Sequence, residues 1–405
     1  MDTMIDVVLR SYPVTTQTFH YQRLAEFARL GVLGTVWVES RSDGHVDPDL
    51  EALFGDRVRF IGDLPAPSSA EIARHAKLLT EAATKAKSGN GEGGPAGAVK
   101  QTLSGIRLGK YLRYHGAARL VHAAFCTANL TIARAAAQTA GLPYSTEVHS
   151  PLSWSRNPGW FRVKVADAYV VAVISDYTRK RVISHCPDAR DRIVEVHCGL
   201  SSRPESPPST NHGRMLTSVG GLVDKKGHDM FIGACDRLGE PGEVIGGGEL
   251  QSDLARLIDH LDAPVQMLGE LPHSEVLDRI GGSRVGVLAA RQAEAGDEDG
   301  VPVALVEFMR AGVPVCSTPV AGIPELLRTI GALATENDHI ALAAAIREGC
   351  AETSRGVEVV ENSYSSEDES ALLAKLLAAV PGPSSPDNTN KTALAASLGA
   401  RRHKP

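Results

Sequence analysis

Two kinds of segment alternate along the first part of the chain. Short apolar runs, typical of buried strands, occur at residues 4–9 and 32–38, and residues 18–30 between them place apolar side chains at helical spacing. A strand, a helix and a second strand in this order are typical of a parallel sheet, because the connection between parallel strands is usually a helix. The pattern therefore predicts an α/β fold.

The same alternation continues through two halves of the chain. Residues 201–213 are polar and rich in proline, which is typical of a linker between domains. Two α/β halves of similar size predict two Rossmann-like parallel-sheet domains that face a cleft, with ligands at the carboxyl ends of the strands. Further strands are predicted at residues 120–125, 144–149, 168–173 and 192–198 before the linker and at 214–219, 243–245, 265–268 and 285–288 after it.

Domain boundaries follow from these patterns. The glycine-rich residues 88–98 predict a flexible loop inside the first half. The predicted organisation is a first domain at residues 1–200, the linker at 201–213, a second domain at 214–366, an amphipathic helix at 367–380 and a disordered tail, rich in proline, serine and asparagine, at 381–405.

Composition narrows the class of protein. The 405 residues are 43% apolar and 22% charged, which describes a soluble globular protein, and the apolar runs are too short to span a bilayer. The first residues lack the basic stretch of a secretory signal. Six cysteines without a Cys-x-x-Cys pair indicate a reducing compartment and no disulfide framework. We therefore expect a cytoplasmic protein.

The first candidate binding segment is residues 296–315. An acidic loop leads into a short apolar helix, and the sequence places Pro302 in the first turn of that helix. Backbone amides at the start of a helix bind anions, so we expect Gly300, Val301, Pro302 and Val303 to lie beside a phosphate. Carboxylates just before and inside this helix, at Asp299 and Glu307, could accept hydrogen bonds from hydroxyls. Phosphate and polyol together are the chemistry of a nucleotide sugar.

A second candidate binding segment is residues 218–229, between a predicted strand and a predicted helix. Gly220 and Gly221 allow a ligand to approach the backbone closely, and Lys226 could neutralise a diphosphate leaving group at the end of the strand. Taken alone, Lys225 and Lys226 could equally lie in a solvated turn. Because an anion site is also predicted downstream, we favour the binding function.

These two segments resemble the C-terminal signature of family 4 of the retaining glycosyltransferases, which have the GT-B fold. The family places two Glu residues with seven residues between them, and Asp299 and Glu307 have this spacing, with Asp at the first position. The family also has Arg and then Lys-Gly in the first segment. Lys226 matches the Lys, whereas Gly221 stands where Arg is expected and Lys225 is a partial substitute. In this family the last helix returns to the first domain, a position that residues 367–380 could fill.

The resemblance also implies roles. Lys226 would contact the diphosphate, Glu307 the ribose hydroxyls and Asp299 the donor sugar. By the same resemblance, the nucleotide would lie beside the residues Gly247, Glu270 and Leu271. The simplest alternative for Glu307 is a carboxylate that stabilises the start of a helix, a contribution of ~0.3–1 kcal/mol.

Histidines and a loop in the first half suggest an acceptor side. His149 ends a predicted strand before a proline-containing loop, and a neutral imidazole there could bind a sugar hydroxyl or handle a proton. The family has a His at this position, near the donor sugar. The segments around His122, Thr16 and Gln17 are similar to those of an exopolysaccharide, colanic-acid-type subgroup of the family. That subgroup has His at the position of Ala124 and Glu at the position of Gln17. The usual alternative for a single His is a structural role.

Charge patterns bear on metal ions and macromolecular partners. Asp297 and Asp299 could be read as a metal-binding Asp-x-Asp, but that motif belongs to another glycosyltransferase fold, so we expect no required metal. Residues 100–134 contain six Lys or Arg and no acidic residue, which fits either a peripheral contact with an anionic membrane or a solvated basic helix face. An overall charge of -6 and the lack of a nucleic-acid motif argue against nucleic-acid binding.

Three functional hypotheses follow from the sequence. The first is an enzyme that transfers a sugar, with retention of configuration, from a nucleotide-diphosphate sugar to a hydroxyl of a lipid-linked, saccharide or small-molecule acceptor. The departures at Gly221, Gln17, Ala124 and Asp299 suggest a second hypothesis, a non-catalytic partner that binds the sugar nucleotide. The third is an epimerase that isomerises the sugar nucleotide without an acceptor. We favour the first of these, with the other two as alternatives.

Overall fold

The computed structural model describes residues 4–14, 18–86, 93–150, 152–200, 213–293, 296–327, 331–335, 337–348 and 353–380. The chain divides into two compact units. Unit 1 comprises residues 1–197 and the chain from Ser366 onward, and unit 2 comprises residues 198–365. The predicted linker, apart from Gly213, and the predicted tail lie outside the described residues.

Unit 1 is built on a seven-stranded sheet in the order β3-β2-β1-β4-β5-β6-β7, with neighbouring strands parallel. The strands are β1 (Met4–Tyr12), β2 (Leu33–Arg41), β3 (Val58–Phe60), β4 (Ala118–Ala123), β5 (Tyr144–Val148), β6 (Val170–Val173) and β7 (Ile193–Glu195). The helices that precede unit 2 are α1 (Thr18–Arg29), α2 (Pro48–Phe54), α3 (Ser69–Arg74), α4 (Ala76–Lys85), α5 (Gly94–His115), α6 (Ala128–Ala140), α7 (Leu152–Arg156), α8 (Pro158–Val165) and α9 (Asp176–His185).

Strand β1 shows why most of its residues are apolar. Val7 and Leu9 pack into a core with α1, whereas Val8 packs into a second core with α6 on the other face. Successive side chains of a strand point to opposite faces, so a strand covered on both faces is apolar on both. The buried exception is Asp6, whose carboxylate accepts hydrogen bonds from the Thr35 N–H and the Trp37 indole. The parallel sheet that the sequence predicted is confirmed.

Helix α5 corrects one boundary. The glycine-rich residues 88–98 were expected to form a loop, but the helix already begins at Gly94, with a proline in its first turn, where no backbone N–H is needed. Its glycines are explained by packing. A Cβ on Gly105 would lie 2.5 Å from the carbonyl oxygen of Ile132 on α6, so only glycine permits this close approach.

Unit 2 contains a six-stranded sheet in the order β10-β9-β8-β11-β12-β13, and its neighbouring strands are also parallel. The strands are β8 (Leu216–Val219), β9 (Gly242–Ile245), β10 (Val265–Gly269), β11 (Val285–Leu288), β12 (Val315–Ser317) and β13 (Ala332–Leu333). The helices are α10 (His228–Leu238), α11 (Gln251–Leu261), α12 (His273–Gly282), α13 (Val303–Arg310), α14 (Ile323–Leu327), α15 (His339–Glu348) and α16 (Thr353–Ser363).

The last described helix, α17 (Ser366–Ala378), belongs to unit 1. Leu373, Leu376 and Leu377 are buried in the same core as β1 and α1. At its first turn, Glu369 accepts a hydrogen bond from the backbone N–H of His197, with 2.8 Å between the atoms. The chain thus leaves unit 1 after His197 and returns to it at Ser366. Across all the described residues, no helix has the length and apolar character required to cross a bilayer.

Candidate functional site

Lysines and aspartates meet at one edge of the unit 2 sheet. Lys226 Nζ lies 2.5 Å from Asp299 Oδ2, while Lys225 Nζ lies 3.3 Å from Asp299 Oδ1 and 3.3 Å from Asp297 Oδ2. Burial alone would raise the pKa of Asp299, but Lys226 and Lys225 outweigh it and hold the pKa below its ordinary value. Burial likewise lowers the pKa of Lys225, and Asp299 and Asp297 outweigh it. Lys225 and Asp299 are therefore charged at neutral pH.

Sheet topology explains this meeting. Strands β8 and β11 are hydrogen-bonded neighbours, and the loops that follow them carry Lys225–Lys226 and Asp297–Asp299 respectively. The loops are joined through Arg291, whose backbone N–H donates to the carbonyl oxygen of Lys225. The Arg291 side chain donates to Asp224, which holds the first loop against the second. Because carboxyl ends of parallel strands share one edge, this is where a ligand is expected.

The predicted glycines form a strip of open backbone at the same edge. Gly220 N–H donates to the carbonyl of Ile245, and a Cβ on Gly246 would lie 2.0 Å from the carbonyl oxygen of Gly220. A Cβ on Gly247 would lie 2.6 Å from a carboxylate oxygen of Glu270, so these two predicted residues are adjacent. Gly221 differs, because a Cβ there would meet nothing closer than the Gly247 carbonyl oxygen at 3.8 Å. A larger side chain therefore has room to begin at Gly221.

His228, a buried residue that sequence reasoning missed, holds the glycine turn. Its Nε2 lies 3.3 Å from the carbonyl oxygen of Gly221, and its Nδ1 lies 3.2 Å from Ser218 Oγ. Burial, with a smaller effect of Lys226, lowers the pKa of His228 to about 4, so the ring is neutral. Since a carbonyl only accepts, Nε2 carries the hydrogen and Nδ1 accepts from the Ser218 hydroxyl. The sequence feature that could have identified His228 is its place at the first position of α10, directly after a glycine turn.

Glu307 lies on α13 and is 8% exposed. Its Oε1 is 3.8 Å from Nε2 of His273, the first residue of α12, which sequence analysis also did not assign. Burial raises the pKa of Glu307, although His273 and Arg310 partly oppose the rise. Because burial disfavours its charged form, the Glu307 carboxylate gains more from a ligand's hydrogen-bond donors than a solvated carboxylate at a helix start would.

The loop before α13 is fixed on both sides. Leu271, Val301 and Val303 pack against one apolar core beside this helix, and the carbonyl of Gly300 accepts a hydrogen bond from the N–H of Gly322. Pro302 is the residue that caps α13 and has extended backbone (ψ 120°), so it precedes the first turn instead of lying within it. This corrects the predicted start by one residue, within the usual uncertainty of helix boundaries.

The predicted acceptor-side histidines lie together in unit 1. His149 Nε2 is 3.4 Å from Glu147 Oε2, and His122 Nε2 is 2.9 Å from Glu147 Oε1. Glu147 is 2% exposed and is also paired with Arg23 of α1. Burial, Arg23 and His149 lower the pKa of His122 to about 3, so its ring is neutral. Glu147 and Arg23 were not assigned from the sequence, because nothing in the order of residues links α1 to β5.

Aromatic rings surround His149. The ring centres of Phe19 and Phe125 lie 5.2 and 5.1 Å from its ring centre, and that of His20 lies 4.9 Å away. The pKa of His20 lies well below its ordinary value, mainly because of burial and also because of His149, Arg23 and His122. His20 Nε2 has no hydrogen-bond partner in the described structure. Thr16 and Gln17, the other predicted acceptor-side residues, lie outside the described residues.

His20, Glu147 and His149 also have the spacing of metal ligands, with one atom from each within 4.8 Å of the others. The charges do not fit a metal ion. Arg23 already pairs with Glu147 Oε2, the oxygen on the side of His149, and would lie beside any bound cation. In unit 2, Asp297 and Asp299 are ion-paired with Lys225. Neither group offers carboxylates that are available to a metal ion.

The basic residues of 100–134 are partly neutralised within unit 1. Lys110 Nζ lies 3.0 Å from Glu71, and Arg134 lies 2.8 Å from Glu81. Arg107 donates to the carbonyl of Gly62. Three of the six basic residues therefore have partners within unit 1.

Comparison with known sequences bears directly on unit 2. Residues 213–351 match the model of the family described as Glycosyl transferases group 1. The chain carries a glycosyl transferase group 1 domain. This domain contains the lysine–aspartate cluster, the glycine strip and Glu307, so the resemblance inferred from those residues is confirmed at the level of this group.

Curated relatives match part of the chain. The colanic acid biosynthesis glycosyltransferase WcaL of Escherichia coli K12 is 34% identical over 217 residues, 48% of this chain and 52% of that protein. The amylovoran biosynthesis glycosyltransferase AmsK of Erwinia amylovora is 37% identical over 138 residues, 32% of this chain and 34% of that protein. The chain thus spans about half or less of the length of these relatives.

Solved structures share the fold along nearly the whole chain. Anabaena Alr3699/HepE in complex with UDP superposes with a TM-score of 0.68 at 14% identity, covering 93% of this chain and 100% of that one. Sucrose-phosphate synthase of Thermosynechococcus elongatus gives a TM-score of 0.67 at 16% identity, covering 92% and 98%. At such identities the likeness concerns the fold alone. The predicted GT-B class, with two Rossmann-like parallel-sheet domains, is confirmed.

Proposed function

We propose that this protein is a glycosyltransferase that moves a sugar from a nucleotide-diphosphate sugar to an acceptor hydroxyl. The observation that carries the proposal is the pairing of Lys225 and Lys226 with Asp299 at the carboxyl edge of the sheet, inside the group 1 domain. Two lysine charges at the end of a parallel sheet are suited to a diphosphate. In the ligand-free protein Asp299 and Asp297 compensate these charges, so a diphosphate would compete with them for the lysines.

The chemistry follows from the charges. As the bond between sugar and diphosphate breaks, negative charge grows on the leaving oxygen, and Lys226 lowers the barrier because it is charged and already oriented by Asp299. Family 4 has an Arg at the position of Gly221. Lys225, which is also charged, would supply part of the positive charge that this Arg provides. Glu307 would bind the ribose hydroxyls, and Asp299 and His149 the donor sugar. We further propose retention by front-side substitution, with no metal ion required.

Donor and acceptor are proposed from the comparisons. HepE was solved with UDP, UDP with glucose, and UDP-glucose, so uridine-diphosphate sugars are the first donors to test. The names of WcaL and AmsK refer to colanic acid and amylovoran, so we propose a saccharide acceptor, free or lipid-linked, in polysaccharide biosynthesis. Cytoplasmic location and peripheral contact with a membrane belong to the same proposal.

The test is a donor screen with a matched pair of lysine variants. Purified protein is incubated with UDP-, GDP- and dTDP-sugars, with and without saccharide acceptors, and nucleoside diphosphate is quantified by mass spectrometry. We expect release with one donor, reduced about 100- to 1,000-fold by Lys226→Ala. Lys180→Ala, which removes a lysine whose side chain is 76% exposed, is the control and should leave the rate unchanged. Equal rates for Lys226→Ala and the unchanged protein would contradict the proposal.

Gly221 favours one alternative, a non-catalytic partner that binds the donor. A Cβ at this position has room, so the absence of Arg is not imposed by packing. If the unchanged protein binds one donor tightly without releasing diphosphate, and Gly221→Arg creates turnover, the partner function is correct. An isomerised sugar nucleotide formed without acceptor would instead identify an epimerase.

A further inference from the structure

Glu147 holds a central position in unit 1. It lies near the carboxyl end of β5, and ligands of open parallel sheets usually bind at the carboxyl ends of the strands. Its two oxygens are shared in an ordered way: Oε1 faces His122, and Oε2 faces both His149 and Arg23. Arg23 also donates to the carbonyl oxygen of His197 at 2.9 Å, so the guanidinium is fixed from a second side. A fully buried carboxylate with this set of partners is a costly feature to maintain for stability alone.

The hydrogen positions on His122 follow from its partners. Glu147, held as a carboxylate by the buried Arg23, can only accept, so His122 Nε2 must carry the hydrogen. His122 Nδ1 is then an acceptor, and the Ser145 hydroxyl, 2.7 Å away, donates to it. The chain Ser145–His122–Glu147 therefore has a single consistent arrangement of protons.

The same reasoning applies to His149. Its Nε2 lies 3.4 Å from Glu147 Oε2, a close charge contact that does not have the geometry of a hydrogen bond. A carboxylate at this distance favours an N–H over a lone pair on Nε2, so Nδ1 is the basic nitrogen of the neutral ring. The rings of Phe19, His20 and Phe125 pack around it and restrict rotation. A carboxylate that fixes the tautomer and the direction of a functional histidine is a recurrent arrangement in enzymes.

We propose that Glu147 is a positioning residue, whose two oxygens hold His122 and His149 in defined tautomers and so aim the basic nitrogen of His149 at the sugar. This inference rests on the proposed function only for its last step, the use of His149 on a sugar. The charged and titratable groups that face Glu147 are Arg23 and His20 from α1, His122 from β4 and His149 from the end of β5.

The first experiment reads the tautomers without any assay of activity. Protein labelled with 15N at histidine is studied by NMR, and the signals of His122 and His149 are assigned from single His→Gln variants. We expect the neutral ring of His122 to carry its hydrogen on Nε2, and the neutral form of His149 to do the same. Replacing the buried pair by apolar residues, Arg23→Met with Glu147→Leu, should preserve folding and convert both rings to mixtures of tautomers. Sharp, unchanged signals in this double variant would overturn the proposal.

A matched control removes a different carboxylate. Glu195 contacts His197, with 3.2 Å between Oε1 and Nε2, in the same unit. Glu195→Gln should therefore leave the signals of His122 and His149 unchanged. If it alters them as much as the double variant does, the effect is a general loosening of unit 1, and the positioning role is refuted.

The second experiment measures the consequence for transfer. In the double variant kcat should fall about 10- to 100-fold, a typical loss when the partner that orients a functional histidine is removed, while KM for the donor changes less than twofold. A fall in kcat that only follows a proportional loss of folded protein would contradict the proposal. If the unchanged protein shows no transfer at all, the proposed function fails, and the NMR result still decides whether Glu147 orients the rings.

Discussion

His197 offers a test of whether α17 is held to unit 1 by charge. The imidazole lies between two carboxylates, 3.2 Å from Glu195 and 3.8 Å from Glu369 at the start of α17. Burial lowers the pKa of His197, but the hydrogen bonds and charges of Glu195 and Glu369 outweigh it and raise the pKa to about 10. The ring is therefore protonated in the folded protein at neutral pH, and Glu369→Gln is the perturbation that removes one of its counter-charges.

The magnitude follows from linkage between proton binding and folding. An unfolded histidine has a pKa of about 6.5, and at about 1.4 kcal/mol per pKa unit the difference amounts to about 5 kcal/mol, an upper bound. Because the folded pKa is the higher one, this stabilisation is complete below about pH 6.5 and is lost as the pH rises towards 10. Glu369→Gln should remove about half of it. The variant should thus be about 2–3 kcal/mol less stable at pH 6.5 and should approach the unchanged protein near pH 10.

Tryptophan fluorescence makes this measurement specific to unit 1. All three tryptophans, Trp37, Trp154 and Trp160, are buried in this unit. Urea unfolding followed by fluorescence at pH 6.5, 8 and 9.5 gives the free energy of unfolding of each protein. The control is Glu81→Gln, which removes the partner of Arg134; arginine does not titrate in this range, so its effect should not vary with pH. A pH-independent effect of Glu369→Gln would refute the reasoning.

Three further predictions concern the donor site and helix packing. Gly227→Ala should weaken UDP binding at least about 10-fold by calorimetry, because the φ of +63° is strained and the new Cβ would lie 1.8 Å from the carbonyl oxygen of Ala289. The control is Gly239→Ala, which has a φ of +64° but no atom within 4 Å of the new Cβ, so it measures the backbone strain without the clash. Glu307→Gln should weaken UDP binding yet stabilise the protein by up to about 1 kcal/mol at pH 7. Burial raises the pKa of the Glu307 carboxyl, so its ionisation costs folding stability as the pH rises above that pKa, and a less stable variant would contradict this. Gly105→Ala should lower the thermal midpoint by several degrees in calorimetry, since α6 leaves no room for a methyl group, and an unchanged midpoint would show that the helices can separate without cost.

Local patterns in the sequence were enough to predict the sheets and one edge of the site. Short apolar runs marked β1 and β11, and a Lys-Gly turn after a strand placed Lys226 near the carboxyl end of that strand, where the structure has it beside Asp299. Both predictions depend on residues that are close in sequence or on the rule that carboxyl ends of neighbouring parallel strands meet.

Contacts between distant segments were the part that could not be predicted. Arg23 and Glu147 are separated by 124 positions, and nothing local in either segment indicates that they pair. The loop predicted at residues 88–98 overlaps the start of α5, because glycine usually disfavours a helix, whereas here glycines such as Gly105 allow two helices to approach each other. His228 looked like an ordinary helix residue, and its contact with Gly221 depends on the turn between them.

The return of α17 has a consequence for recombination. All of unit 2 is one uninterrupted stretch, entered after His197 and left before Ser366. The two passages run side by side, because the N–H of Leu200 donates to the carbonyl of Tyr364 at 2.7 Å. A genetic cassette that encodes residues 198–365 could therefore be exchanged for that of a relative through two adjacent junctions. Unit 1 has no such freedom, because its core requires segments from both sides of the insertion.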